Sequence, residues 1–110
     1  RLPLSRYDAY VNIAGGMRMN EPAVDLAAVI AMISSFRDKA VEADTVIFGE
    51  VGLSGEVRAV PLAEYRVREA AKLGFTRCIL PKSNAEKCRS VGDIACCGVS
   101  SIQEAMHLLF

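Results

Sequence analysis

The candidate serines and the single histidine, which together could form a nucleophile and its base, lie far apart in this sequence. Ser34 and Ser35 fall late in a predicted helix, Ser54 falls in a predicted turn, and the single histidine, His107, lies near the C-terminus. A hydrolase needs a nucleophile that is activated by a neighbouring base. Because His107 has no obvious serine or cysteine partner, we expect none of these residues to be catalytic.

Metal chemistry is poorly supported by the cysteines and carboxylates. The four cysteines lack Cys-x-x-Cys spacing and have no histidine nearby, so we expect no metal site. We interpret them as reduced, mostly buried thiols of a cytoplasmic protein. Glu50 and Glu56 flank a glycine-rich turn, where they either hold a cation or lie on the exposed face of a strand, the more common arrangement. The cysteines are Cys78, Cys88, Cys96 and Cys97.

Opposite charges are concentrated in two halves of the chain, although the net charge is zero. Seven acids and two bases lie between Asn20 and Glu56, whereas eight bases and three acids lie between Arg58 and Arg89, giving −5 and +5. Such a chain can bind a polyanion, bind copies of itself head to tail, or simply expose both halves to solvent. No apolar run approaches the roughly 20 residues that span a bilayer, so no membrane partner is expected.

The order of the predicted elements indicates one domain, residues 1–110, with a modest core. Helices fall between strands, which predicts a mixed α/β layered structure. In chain order we expect a strand at Asp8–Ala14, a helix at Pro22–Phe36, hairpin strands at Thr45–Glu50 and Glu56–Val60, a helix at Leu62–Leu73 ended by Gly74, a strand at Arg77–Leu80, a loop or single turn at Ser83–Lys87, a strand at Asp93–Val99, and a final helix opened by a capping box at Ser101–Glu104.

Several separated motifs, in consistent order along essentially the whole chain, carry a family resemblance. They resemble the proteolytic domain of Lon-type proteases and, more closely, the Lon-like C-terminal domain of the RadA (Sms) family of bacterial DNA repair and recombination proteins. The resemblance implies a Lon proteolytic-domain-like fold (ribosomal protein S5 domain 2-like), with a mixed sheet and helices packed on it. The motifs are Val11–Gly16, Glu21–Ala27, Ser34–Asp38, Phe48–Val60, Glu69–Phe75 and Leu80–Lys82.

The same resemblance implies that the Lon catalytic dyad is lost. Lon proteases use a serine and a lysine; the serine position falls at Ala23 here, and the lysine position falls at or beside Glu64. Alanine has no nucleophilic atom, and a carboxylate is not an amine base. We therefore expect the chain not to be an enzyme.

The resemblance implies that any cofactors belong elsewhere in a longer protein. RadA-type proteins carry an N-terminal four-cysteine zinc motif and a RecA-like ATPase, so ATP, magnesium and zinc are expected only in that missing part. We also expect the first strand and helix of the Lon-like domain to precede this fragment. Exposed apolar surface near Ala9, Val11 and Ile13 would be a consequence.

The partners that the resemblance implies are DNA and further copies of the chain. The family's ATPase forms ring-shaped hexamers that promote branch migration during homologous recombination, with the Lon-like domain as a scaffold and DNA contact. No aromatic residue is interleaved with the basic residues, so duplex backbone contact is expected rather than base stacking. A peptide- or protein-binding module with a Lon-like cleft and a residual serine peptidase are the alternatives. The candidate DNA-binding residues are Arg66, Arg68, Lys72, Lys82, Lys87 and Arg89.

Overall fold

Three parallel strands form the centre of the part of the chain that the computed structural model describes, residues 22–89 and 91–110. Strand β4 (Arg77–Pro81) lies between β1 (Thr45–Ile47) and β5 (Ala95–Val99). Most of β4 is buried, as expected for a central parallel strand covered on both faces. The mixed α/β class is thus confirmed. The predicted strand at Asp8–Ala14, and the apolar surface expected beside it, lie outside the described residues.

A separate antiparallel hairpin follows β1. It consists of β2 (Glu50–Val51) and β3 (Val57–Arg58), which form a two-stranded sheet of their own. The hairpin also contacts the segment after β5, where Val57 N–H donates to the Ser100 carbonyl at 2.8 Å. The prediction of one continuous strand over Thr45–Glu50 is therefore wrong.

Two residues between β1 and β2 are bonded to different neighbours. Phe48 N–H donates to the Ile79 carbonyl at 3.0 Å, which continues the parallel sheet. Gly49 N–H instead donates to the Ala23 carbonyl at 2.8 Å, and the Gly49 carbonyl accepts from Leu26 N–H at 3.0 Å. The chain therefore leaves the sheet at Gly49, where an added Cβ would lie 3.0 Å from the Val57 side chain.

The two longer helices match their predictions closely. Helix α1 (Asp25–Arg37) follows a 3₁₀ turn at Pro22–Val24, a position where proline is compatible with helix entry. Helix α2 (Ala63–Lys72) is followed by Gly74 at φ +93°, which confirms the predicted glycine stop.

The two shorter helices follow β4 and β5. Helix α3 (Lys82–Cys88) has seven residues, so it is longer than the loop or single turn that was expected. Helix α4 (Ile102–Leu109) begins after Ser101, whose Oγ accepts from Glu104 N–H at 3.1 Å. The Glu104 carboxylate accepts from Ser100 N–H, one residue before the usual capping-box donor.

The apolar core lies between the sheet and the helices. Leu26 and Ile30 of α1, Val67 of α2 and Ile79 of β4 are each almost fully buried. Cys78 and Cys88 are buried, Cys96 and Cys97 are half-buried, and all four are free thiols. Burial raises the pKa of Cys78 well above its usual value, and burial is also the main cause that raises the pKa of Cys96 to about 11. Within the described ranges, no helix has the length and apolar character needed to cross a bilayer.

Candidate functional site

The two positions at which the resemblance places the Lon dyad, Ala23 and Glu64, contain no pair able to cleave a peptide. Ala23 lies in the 3₁₀ turn before α1 and is 1% exposed, so its methyl group is part of the core. Glu64 lies in the first turn of α2 and is exposed. A buried methyl group supplies no nucleophile, and the carboxylate supplies no amine base.

The serines and the histidine serve other local roles or face solvent. The Ser34 hydroxyl donates to the Lys39 carbonyl just beyond α1. Ser54 lies at the hairpin tip, where its N–H donates to the Glu56 carboxylate at 3.0 Å. His107 is exposed on α4. These contacts do not place a serine beside a base.

The two hairpin carboxylates are paired with an arginine. Arg58 Nη2 lies 2.8 Å from Glu56 Oε2, and Arg58 Nη1 lies 3.9 Å from Glu50 Oε2. Hydrogen bonds from its own backbone N–H and then from Arg58 lower the pKa of Glu56. This arrangement favours a surface ion network over a cation site. No group of three potential metal ligands occurs among the described residues.

Arg66 was predicted to be exposed, but the structure shows it buried. It is 3% exposed, and its Nε donates to the Pro61 carbonyl at 3.0 Å. The physical reason is its place on α2, where it falls on the same inward side as buried Ala63, Val67 and Ala70. Its guanidinium group can be buried because backbone carbonyl oxygens can accept hydrogen bonds from its N–H groups. Arg66 is therefore removed from the exposed basic residues.

The other five basic candidates are exposed but differ in their ionic neighbours. Lys72 Nζ lies 3.2 Å from a Glu69 oxygen, and Arg89 Nη2 lies 3.8 Å from a Glu86 oxygen. Among the described residues, the remaining three are in no ion pair. They are Arg68, Lys82 and Lys87.

The separation of charge along the sequence is partly cancelled in space. Arg77, from the basic half, lies 4.0 Å from Glu42 of the acidic half. Arg58 is similarly placed between Glu50 and Glu56. Among the described residues of the basic half, the exposed cations outside ion pairs are consequently found on α2 and α3.

An open cleft of about 510 Å³ lies between the start of α2 and α3. We call it the α2–α3 cleft. Arg68 and Lys87 reach it from the two helices, which brings two of the predicted basic residues together. Lys72, Lys82 and Arg89 do not line it. The lining residues are Val60, Pro61, Leu62, Ala63, Glu64, Tyr65, Arg68, Asn84 and Lys87.

The segment that forms one wall of the α2–α3 cleft is held from two sides. Asn84 bonds to both backbone groups of Val60, and Arg66 bonds to the carbonyl of Pro61. Leu62, between them and α2, has a left-handed backbone at φ 60° and ψ 32°. Such a conformation costs a non-glycine residue roughly 1–2 kcal/mol. The surrounding bonds therefore maintain a strained turn.

Two residues of the α2–α3 cleft were missed from the sequence. Tyr65, which is 44% exposed, lies beside the basic residues, so the expectation that no aromatic residue is interleaved with them is wrong. Its spacing of three from Arg68 places both on one side of a helix and could have identified it. No comparable sequence spacing identifies Asn84 as a residue of the cleft.

The fold and the α2–α3 cleft define a mixed α/β domain with a surface cleft lined by Arg68 and Lys87. Residues 3–84 match the model of the family described as subunit ChlI of Mg-chelatase, and the chain belongs to that family. The chain is also similar to several curated proteins, each called DNA repair protein RadA.

Three of these relatives illustrate the extent of the similarity. The protein of Synechocystis sp. is 53% identical over 81 residues, covering 74% of this chain and 16% of the relative. The protein of Halalkalibacterium halodurans is 46% identical over 105 residues, covering 96% and 23%. The protein of Escherichia coli is 43% identical over 107 residues, covering 97% and 23%. The chain thus spans less than a quarter of the length of these relatives.

Proposed function

We propose that this chain is a non-catalytic, Lon-like domain of a RadA-type DNA repair protein, which contacts DNA and neighbouring copies during recombination and branch migration. The observation that carries the proposal is 46% identity to a protein named DNA repair protein RadA across 96% of this chain. ATP, magnesium and zinc would be bound by other parts of such a protein, in the cytoplasm.

The proposed lack of peptidase activity is supported by the local chemistry at Ala23. Its methyl group is buried, and its carbonyl is bonded to Gly49 N–H at 2.8 Å. The position thus joins the start of α1 to the hairpin. A domain in which this position contributes to packing can serve as a scaffold without cleaving peptide bonds.

The contact with DNA is supported by the exposed cations of α2 and α3. Arg68, Lys82 and Lys87 are in no ion pair within the described residues, so they can approach phosphates without first breaking a close ion pair. Lysine and arginine contacts to phosphate release counterions, which makes binding independent of sequence and sensitive to salt. Lys72 and Arg89 would contribute less because each already has an acidic neighbour.

Ring assembly would use the acidic residues of the first half against the basic face of a neighbouring copy. Such a contact is heterologous, since two different surfaces meet, and it closes into a ring when the rotation between copies permits. Glu42 and Asp38 are exposed acids of the first half that could take part. A hexamer is the arrangement that the resemblance to the RadA family implies.

A second candidate function, protein or peptide binding, is favoured by an apolar groove between α1 and α4. The groove has a volume of about 480 Å³. Phe36 and Met32, which line it, are 93% and 66% exposed. Exposed apolar patches of this kind often mark interaction surfaces. The remaining lining residues are Val29, Ile33, Arg37 and Met106.

The proposal is tested by titrating labelled duplex DNA with the 110-residue chain at low and moderate salt. A variant carrying Arg68→Glu and Lys87→Glu is compared with one carrying Lys72→Glu and Arg89→Glu, which has the same net charge. We expect salt-sensitive binding that the first pair of changes abolishes and the second pair only weakens. Failure of the folded chain to bind duplex DNA at low salt would overturn the DNA contact. Capture of an unfolded peptide, lost in Phe36→Ser, would then favour the second candidate.

A further inference from the structure

We infer that the α2–α3 cleft binds one unpaired nucleotide of single-stranded DNA, with its base against Tyr65 and its phosphate between Arg68 and Lys87. The inference rests on the proposed contact with DNA and deepens it. It names the strand state that the chain recognises and the side chains that recognise it. Duplex backbone contact alone requires neither an aromatic residue nor a cleft.

The first observation is the side-chain composition of the cleft. Tyr65 is 44% exposed, and it lines the same space as the cations Arg68 and Lys87. Single-stranded nucleic acid is recognised by this combination, in which aromatic rings stack on bases while a basic groove follows the phosphates. Arginine can add cation–π attraction to the stacked base.

The second observation is the size and rigidity of the cleft. Its volume of about 510 Å³ lies within the ~300–1,000 Å³ of typical small-molecule sites. The wall at Val60 and Pro61 is held by hydrogen bonds from Asn84 and Arg66 before any ligand arrives. A wall that is already ordered loses little freedom on binding, which favours affinity.

The preference for an unpaired base follows from stacking geometry. In a duplex both faces of each base are covered by its neighbours, so an aromatic ring reaches a face only where the stack is interrupted. An unpaired base has a free face that can lie on Tyr65. A partner with free bases therefore uses the whole cleft, whereas a duplex uses only its cations.

Glu64 limits how many phosphates the cleft can hold. Its carboxylate lines the cleft with Arg68 and Lys87 and leaves one net positive charge there. One nucleotide with one phosphate fits that balance better than a run of phosphates. The carboxylate can also accept from an exocyclic amino group of the base.

In the test, a labelled single-stranded oligonucleotide and the corresponding labelled duplex are each titrated with the full 110-residue chain, and binding is followed by fluorescence anisotropy. We expect Tyr65→Ala to weaken single-strand binding about tenfold while duplex binding changes less than about twofold. Tyr65→Phe keeps the ring and should restore the affinity. Leu73→Ala removes another exposed apolar side chain near the end of α2, outside the cleft, and should change the affinity for neither ligand.

The outcomes separate this inference from the proposed function. Duplex binding that persists while Tyr65→Ala leaves single-strand binding unchanged would overturn the inference and keep the proposed function. No binding of either ligand by a chain with a native circular dichroism spectrum would overturn both. Support comes from a selective single-strand loss that Tyr65→Phe rescues, together with tighter single-strand binding in Glu64→Gln.

Discussion

Asn84 bonds to Val60 through both ends of its side-chain amide. Its Oδ1 accepts from Val60 N–H at 2.9 Å, and its Nδ2 donates to the Val60 carbonyl at 3.3 Å. Pro61 follows Val60 and has no N–H, so strand pairing cannot continue along this segment as it does in β3. The amide replaces the missing strand neighbour and joins α3 to the wall of the α2–α3 cleft.

Replacing Asn84 with alanine should destabilise the fold. Val60 is only 6% exposed, so the change leaves two poorly solvated backbone groups without their partner. An unmade buried hydrogen bond costs about 1–3 kcal/mol, and we expect a loss of about 2 kcal/mol in the free energy of unfolding. Urea unfolding followed by circular dichroism measures it.

Two further variants make the Asn84 prediction specific. Asn84→Asp keeps the acceptor and loses the donor, so its cost should be smaller. Ser83→Ala alters the exposed neighbouring residue and should change stability by less than about 0.5 kcal/mol. Equal stabilities of the Asn84→Ala and Ser83→Ala variants would show that the amide does not support the wall.

Leu62→Asn should stabilise the chain. Leu62 has φ 60° and is 54% exposed, so it bears the strain of a left-handed backbone without being buried. Asparagine tolerates this conformation better, and we expect a gain of about 0.5–1 kcal/mol. Thermal and urea unfolding both report the change.

Leu73 provides a matched control for Leu62. It is also 54% exposed, but its backbone has φ −85°, so no left-handed strain exists there to be relieved. Leu73→Asn should therefore bring no gain. A similar gain in both variants would attribute the effect to the removal of exposed apolar surface rather than to backbone strain.

The sequence predicted the elements whose causes are local. The stop at Gly74 and the cap at Ser101 depend on residues within one turn, and both are present. The break between β1 and β2 depends instead on partners far along the chain. Gly49 bonds to Ala23 and Leu26, whose proximity only the folded chain creates. Local strand propensity could not reveal that change of partner.

The cleft was predictable only in part for the same reason. The charge of Arg68 and Lys87 predicts their exposure correctly, whereas charge alone predicts the wrong place for Arg66, which is buried. Its spacing from buried Ala63 and Ala70 already favoured an inward orientation. Asn84 could not be found, because its partner Val60 lies 24 residues away.

Gly98→Ala should destabilise the packing of α3 on the sheet. A Cβ at Gly98 would lie 2.9 Å from Lys82 Cα and 2.9 Å from the Ala85 methyl group. Because one of these atoms is backbone, relief requires α3 to move away from β5. Overpacking of this kind typically costs 1–3 kcal/mol, and we expect a loss of about 2 kcal/mol in urea unfolding.

Gly52→Ala is the matched control for Gly98. A Cβ there would lie 2.1 Å from Glu56 Oε2, a closer approach, but that atom ends a flexible side chain. Glu56 can rotate away and lose only exposed bonds, so the cost should stay below about 1 kcal/mol. A larger loss in Gly52→Ala than in Gly98→Ala would contradict the close packing of α3 on β5.

Glu104→Gln should lower stability at neutral pH but not in acid. The hydrogen bond from Ser100 N–H is the largest cause that lowers the pKa of Glu104 below its ordinary 4.5. A lowered pKa means that the ionised carboxylate stabilises the fold at pH values above its ordinary pKa. This stabilisation is lost as the pH falls through the pKa of the folded state. The difference in melting temperature between the native chain and the variant should therefore be largest near about pH 7 and shrink below about pH 4.

Ser101→Ala distinguishes the titrating part of this cap from the part that does not titrate. The Ser101 hydroxyl accepts from Glu104 N–H at 3.1 Å, and a hydroxyl of this kind keeps its state across this pH range. Its removal should cost about 1 kcal/mol at both neutral and acid pH. If Glu104→Gln instead caused the same loss of stability at neutral and acid pH, the Glu104 carboxylate would not be stabilising α4 through its charge.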